Sequence, residues 1–63
     1  MYLKNLVKIR KKIGWSQEKL AAESGVSYST LIKIESGRID NPRIGTVMNF
    51  AKALKVSIDD LVK

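Results

Sequence analysis

Gln17-Glu18-Lys19-Leu20-Ala21-Ala22-Glu23-Ser24-Gly25-Val26-Ser27-Tyr28-Ser29-Thr30-Leu31-Ile32-Lys33-Ile34-Glu35-Ser36 is the stretch whose reading decides the fold. Two short helices are predicted on either side of Ser24-Gly25-Val26-Ser27. Ser16 and Ser27 stand where helices begin, and a serine oxygen accepts from the otherwise unpaired N–H groups of a first turn. Trp15 with Leu20, and Val26 with Leu31, occupy the paired positions whose side chains fold over a helix start and fix its entry angle. Gly25 ends the first helix and Gly37 the second, leaving about two turns to two and a half for each. Ala21 is small where two helices crossing at about 90–120° bring their backbones together.

On the N-terminal side, Leu6, Ile9, Arg10 and Ile13 recur at helical spacing while Lys4, Lys8, Lys11 and Lys12 lie mostly elsewhere on the wheel. This predicts a helix over about residues 2–13, closed by Gly14 in a left-handed conformation. On the C-terminal side, Arg38-Ile39-Asp40-Asn41 is a polar loop, and Asn41-Pro42 biases the chain away from helix until after the proline. A fourth helix is predicted from about Ile44 to Leu54, with Val47, Phe50, Ala51 and Leu54 inward. The serine-and-staple signal recurs at Ser57, flanked by Val56 and Leu61, and Asp60 supplies a variant of the capping box, so a fifth helix starts near Ile58. No strand is predicted, because the β-branched pair Val56 and Ile58 straddles a cap. The expected fold is all-α: one compact five-helix domain over residues 1–63, with a helix-turn-helix over about 17–36.

Composition narrows the function. The 63 residues carry 12 Lys and Arg against 6 Asp and Glu, a formal charge of +6, with no His and no Cys. Zinc fingers, Cys–His pairs, Ser–His–Asp triads, thiol redox sites and disulfides are therefore excluded. The carboxylates form no recognised acid–base or metal cluster and no phosphate-loop pattern is present, so neither enzyme activity, metal nor cofactor is expected. A chain this short buries about 60% of the surface its unfolded form exposes, which is one small core. Without disulfides or metals, its stability rests on well-capped helices and on any partner chain. No apolar run approaches the roughly 18 residues of a membrane span, and Met1-Tyr2-Leu3-Lys4-Asn5 lacks the features of a signal peptide. An intracellular, cytoplasmic location is expected.

Gly14-Trp15-Ser16-Gln17-Glu18-Lys19-Leu20-Ala21, Ser24-Gly25-Val26-Ser27, Ile34-Glu35-Ser36-Gly37, Asn41-Pro42 and Ala53-Leu54-Lys55-Val56-Ser57-Ile58-Asp59-Asp60-Leu61 together resemble the phage repressor and Cro family of helix-turn-helix DNA-binding proteins. The resemblance covers about residues 3 to 62. It implies a repressor-like domain whose third helix lies in the major groove of double-stranded DNA, and a sequence-specific regulator of transcription, most simply a repressor. The rival readings are an antitoxin-like or other protein-interaction module on the same fold, and a basic membrane-surface peptide, which the capping signals along the whole chain disfavour.

With Leu31, Ile34 and Glu35 turned inward, helix three presents Tyr28, Ser29, Ile32, Lys33 and Ser36. Lys33 suits guanine O6 or N7, Ser29 bonds to several bases and Ile32 packs on a thymine methyl. The resemblance places base readers at 28, 29, 32 and 33. The plainer alternatives are a solvated charge or phosphate contact for Lys33 and a core neighbour of Leu31 for Ile32. Gln17 resembles the family's phosphate-binding glutamine, at a helix start that attracts anions. Arg43 is placed to reach the backbone or a narrow minor groove, with Ser36 and Arg38 as flanking phosphate contacts.

Arg10 sits on an apolar stripe, where a charge is costly unless paired. The resemblance pairs it with Glu35 as a structural ion pair. Trp15, at a staple position, is expected to pack rather than stack on bases. The resemblance also implies a homodimer on a palindromic site, formed by the C-terminal helices and the nearby loop, with Ile39, Ile58, Leu61 and Val62 as candidates; Leu61 is also expected to close the monomer core. Two positions depart from the family pattern: Lys55, where a glycine commonly ends helix four, and Gly45, in that helix's first turn.

Overall fold

The computed structural model describes residues 2–63, so Met1, the first residue of the expected domain, lies outside the described residues. Five helices follow one another: α1 Leu6–Lys12, α2 Gln17–Ser24, α3 Tyr28–Glu35, α4 Ile44–Leu54 and α5 Ile58–Val62. There is no strand among the described residues.

The starts of α2, α3 and α5 are fixed by the serines. The Lys19 amide donates to Ser16 Oγ at 3.0 Å and the Thr30 amide to Ser27 Oγ at 3.3 Å. At α5 the box is complete: the Asp60 amide donates to Ser57 Oγ and the Ser57 amide to Asp60 Oδ2, both at 3.0 Å. Trp15, Val26 and Val56, each one residue before a capping serine, are partly buried against the core. Each cap of this kind contributes about 1 kcal/mol.

The helix expected over residues 2–13 is shorter at its N-terminal end. The Asn5 amide donates to the Leu61 carbonyl at 3.0 Å and its side-chain amide to the Asp60 carbonyl at 2.9 Å, so the chain here is tied to α5 instead of joining α1. Leu3 is buried all the same. At the other end, Ile13 caps α1 and Gly14 takes φ +79°, which lets the Trp15 amide return to the Arg10 carbonyl at 3.1 Å.

α2 packs on α3 and α4, α4 on α5, and α5 on α1. Their shared core centres on Phe50, Leu6, Leu20, Leu31, Leu61 and Val47, all essentially without exposed surface. Burying each of these six side chains contributes roughly 1.5–3 kcal/mol. Gly25 closes α2 at φ +73°, returning its amide to the Ala21 carbonyl at 3.0 Å, and thereby sets the turn into α3. Lys55 closes α4 in the same left-handed region, at φ +57° and ψ +43°. It is the only non-glycine residue at positive φ among the described residues, and its Cβ makes that conformation cost about 1–2 kcal/mol.

Candidate nucleic-acid interface

α3 is amphipathic by its own sequence. Leu31 and Ile34 are buried beneath it, while Tyr28 is 46% exposed and Ser29, Lys33 and Ser36 are exposed. Ile32 is half-buried, between the two surfaces. The side chains of Tyr28, Ser29 and Lys33 make no hydrogen bond or ion pair among the described residues, so their polar groups face solvent unengaged. Ser36 Oγ donates to the Lys33 carbonyl at 3.2 Å, which uses its one donor and leaves acceptor capacity.

Beneath this surface lies a four-group polar network. Arg10 Nε donates to Glu35 Oε2 at 2.7 Å and Nη2 to Glu35 Oε1 at 3.0 Å, a bidentate pair joining α1 to α3. Arg10 Nη1 donates to the Trp15 carbonyl at 2.8 Å, which adds the α1–α2 turn. The two charged side chains are only 9% and 5% exposed, so each depends on the other for solvation. Gln17 completes the set, its Nε2 donating to Glu35 Oε1 at 2.8 Å. No buried side-chain nitrogen or oxygen among the described residues lacks a hydrogen-bond partner. The charges are thus held inside at full satisfaction, which is the condition for a buried pair to be tolerated.

The bond from Gln17 to Glu35 is absent from the sequence-level expectation, which placed Gln17 at the surface as a phosphate ligand. Eighteen residues separate the two, and no periodicity links them. Gln17 is half-buried at the first position of α2, and the bond to Glu35 engages one of its two side-chain N–H donors.

Arg43 is the N-cap residue of α4 and is exposed; its side chain makes no capping bond, so α4, like α1, lacks the N-cap oxygen that Ser16, Ser27 and Ser57 give α2, α3 and α5. Arg38 is exposed on the α3–α4 loop, which is held down by half-buried Ile39 and buried Pro42. Of the residues expected at a dimer surface, Ile39, Ile58 and Val62 are half-buried against the core. Leu61 has no exposed surface and offers nothing to a second subunit, because it anchors α5 beneath the other helices. Trp15 packs on the core with Lys19 Nζ at 5.6 Å from its ring centroid.

This arrangement of a capped helix, a glycine turn and a second helix with an open polar face matches a helix-turn-helix family profile over residues 6–61. The chain belongs to the Cro/C1-type helix-turn-helix family. That family places it among DNA-binding transcriptional regulators. It is 42% identical over 52 residues to the HTH-type transcriptional regulator SlrR of Bacillus subtilis strain 168, covering 82% of this chain and 34% of that protein. It is 40% identical over 58 residues to the uncharacterized HTH-type transcriptional regulator y4dJ of Sinorhizobium fredii strain NBRC 101917 / NGR234, covering 92% of this chain and 74% of the relative. The chain therefore spans about a third of SlrR's length. No solved structure matches it. No helix among the described residues is long and apolar enough to cross a membrane.

Proposed function

We propose that this chain acts in the cytoplasm as a sequence-specific repressor, a single helix-turn-helix domain that lays α3 in the major groove of an operator. The observation that carries the reading is the division of α3 into a buried face tied to α1 and α2 and an exposed face, Tyr28, Ser29 and Lys33, whose side chains bond to nothing else among the described residues. Side chains free of internal partners are available to base edges, and their carrier is rigid. Lys33 donates to guanine, Ser29 to its neighbouring base, Tyr28 reaches the adjoining step and the exposed part of Ile32 meets a thymine methyl.

The backbone is gripped from two helix starts. Gln17 keeps one side-chain N–H for a phosphate while Glu35 holds the other, so the ion pair of the core also aims the clamp. Arg43, with the uncapped amides of α4 behind it, takes a second phosphate or enters the minor groove, and Ser36 and Arg38 flank the recognition helix. A module this small buries roughly 600–1,000 Å² on DNA. A homodimer on a palindrome supplies the remainder through the half-exposed apolar groups Ile39, Ile58 and Val62.

Selection from random duplexes with the intact chain tests the reading. A two-fold motif is expected, with log affinity falling linearly against log salt by about 0.9 for each phosphate neutralised. Binding indifferent to salt and sequence would overturn it.

A further inference from the structure

We propose that the open groove between α1 and α5 docks an acidic amphipathic helix of a partner protein. The groove is about 450 Å³ and shares no residue with the DNA-reading set. One wall is Lys8, Ile9 and Lys12 of α1 with Asn5 and Ile13 at its two ends, positions that follow helical spacing, and the other is Asp60 of α5 with Val56 and Lys63 just outside that helix. The groove thus runs along one helical row of α1, the side on which an added helix can lie.

The chemistry is layered. The floor is apolar: Ile9 and Val56 are half-buried, and Ile13 is 44% exposed although nothing in the polar network requires it there. The rim is cationic: Lys8 and Lys12 stand along α1 and Lys63 opposite, all exposed. The one carboxylate at the rim, Asp60, is already engaged by the Ser57 amide. Lys63 pairs with Asp59 at 3.7 Å, but both are about three-quarters exposed, and such a pair yields readily.

Charge complementarity selects the occupant. A second copy of this chain carries a net charge of +6, so its approach to a cationic rim is opposed overall. A DNA backbone would satisfy the lysines while placing phosphates over Ile9 and Ile13, which gain nothing from it. An amphipathic helix answers both layers, its apolar side chains at i, i+4 and i+7 along the floor and its Glu or Asp residues toward Lys8, Lys12 and Lys63.

The test uses the full chain, labelled with nitrogen-15, and a synthetic helical peptide with leucines at that spacing and glutamates on either side. Saturable shifts are expected at residues 8–13, 56 and 60–63, with α3 unmoved. Replacing the peptide leucines by serine is expected to weaken binding at least tenfold. The protein variant Ile13→Lys, at an exposed helix end and checked by its melt, is also expected to weaken it tenfold, although it adds a positive charge. Equal or tighter binding by Ile13→Lys or by the serine peptide would mean plain charge attraction and overturn the proposal. So would absent saturation, shifts centred on α3, duplex DNA moving Ile9, Ile13 and Val56 as strongly as the peptide does, or concentration-dependent shifts at residues 8–13 from self-association.

Discussion

The helix-turn-helix and the segment before it divide labour in a way that net charge alone conceals. Residues 16–36 carry two positive and three negative charges, whereas residues 1–15 carry five positive charges and none negative. The part with the open reading face is the acidic part. Of the five cations in the first segment, Arg10 is locked to Glu35, and the four exposed lysines, Lys8, Lys11 and Lys12 on α1 and Lys4 just before it, belong to a segment that contributes none of the proposed base readers. On the proposed reading, attraction to DNA and discrimination among sequences belong to different regions of a chain only 23 Å across in its longest dimension.

The strongest attempt to break this comparison removes the link between the regions. Glu35→Ala leaves Arg10 buried without its partner and Gln17 without its acceptor, and a loss of about 3–5 kcal/mol in urea unfolding is expected. An unchanged melt would show that the two regions do not depend on that pair. Replacing both charges by apolar groups, Arg10→Met with Glu35→Leu, is expected to recover most of that stability, since the buried cation goes with its partner.

Next in size, Lys33→Ala is expected to cost about 1–3 kcal/mol on the preferred operator and to relax preference at one base pair. Its measure is a repeat of the duplex selection. Arg43→Ala, by contrast, lowers affinity evenly across sequences and reduces the salt slope by about 1. The combined change of Lys8, Lys11 and Lys12 to Gln sharpens the comparison: association slows at low salt, while the slope shifts by less than the Arg43 variant's and the selected motif is unchanged. A lost motif would place α1 among the base readers. The smallest effect is Lys55→Gly, expected to raise stability by about 1 kcal/mol by relieving the left-handed lysine, with DNA affinity untouched in a binding titration.

Most of the fold is written locally. Ser16, Ser27 and Ser57 mark helix starts because the donors they satisfy lie three residues away, and each is capped in the structure as its own neighbourhood requires. Helix four runs between the expected residues with all four expected inward side chains buried. The start of α1 was not legible, because what holds Asn5 back is the carbonyls of Asp60 and Leu61, more than fifty positions away. The bond from Gln17 to Glu35 was hidden for the same reason: a family pattern names both residues but gives no sign that one holds the other. The exposure of Ile13 was equally illegible, since its spacing placed it on the apolar stripe of α1, whereas the helix ends at Lys12 and leaves Ile13 as its exposed C-cap.

The way α3 is held also bears on inheritance. Tyr28, Ser29 and Lys33 have no internal partner among the described residues, so a lineage can exchange them one at a time without endangering the fold that carries them. Glu35, on the same two-turn helix, has Arg10 and Gln17 attached and cannot change alone. If α3 reads the operator as proposed, a helix wired in this manner lets target preference drift while its frame stays fixed.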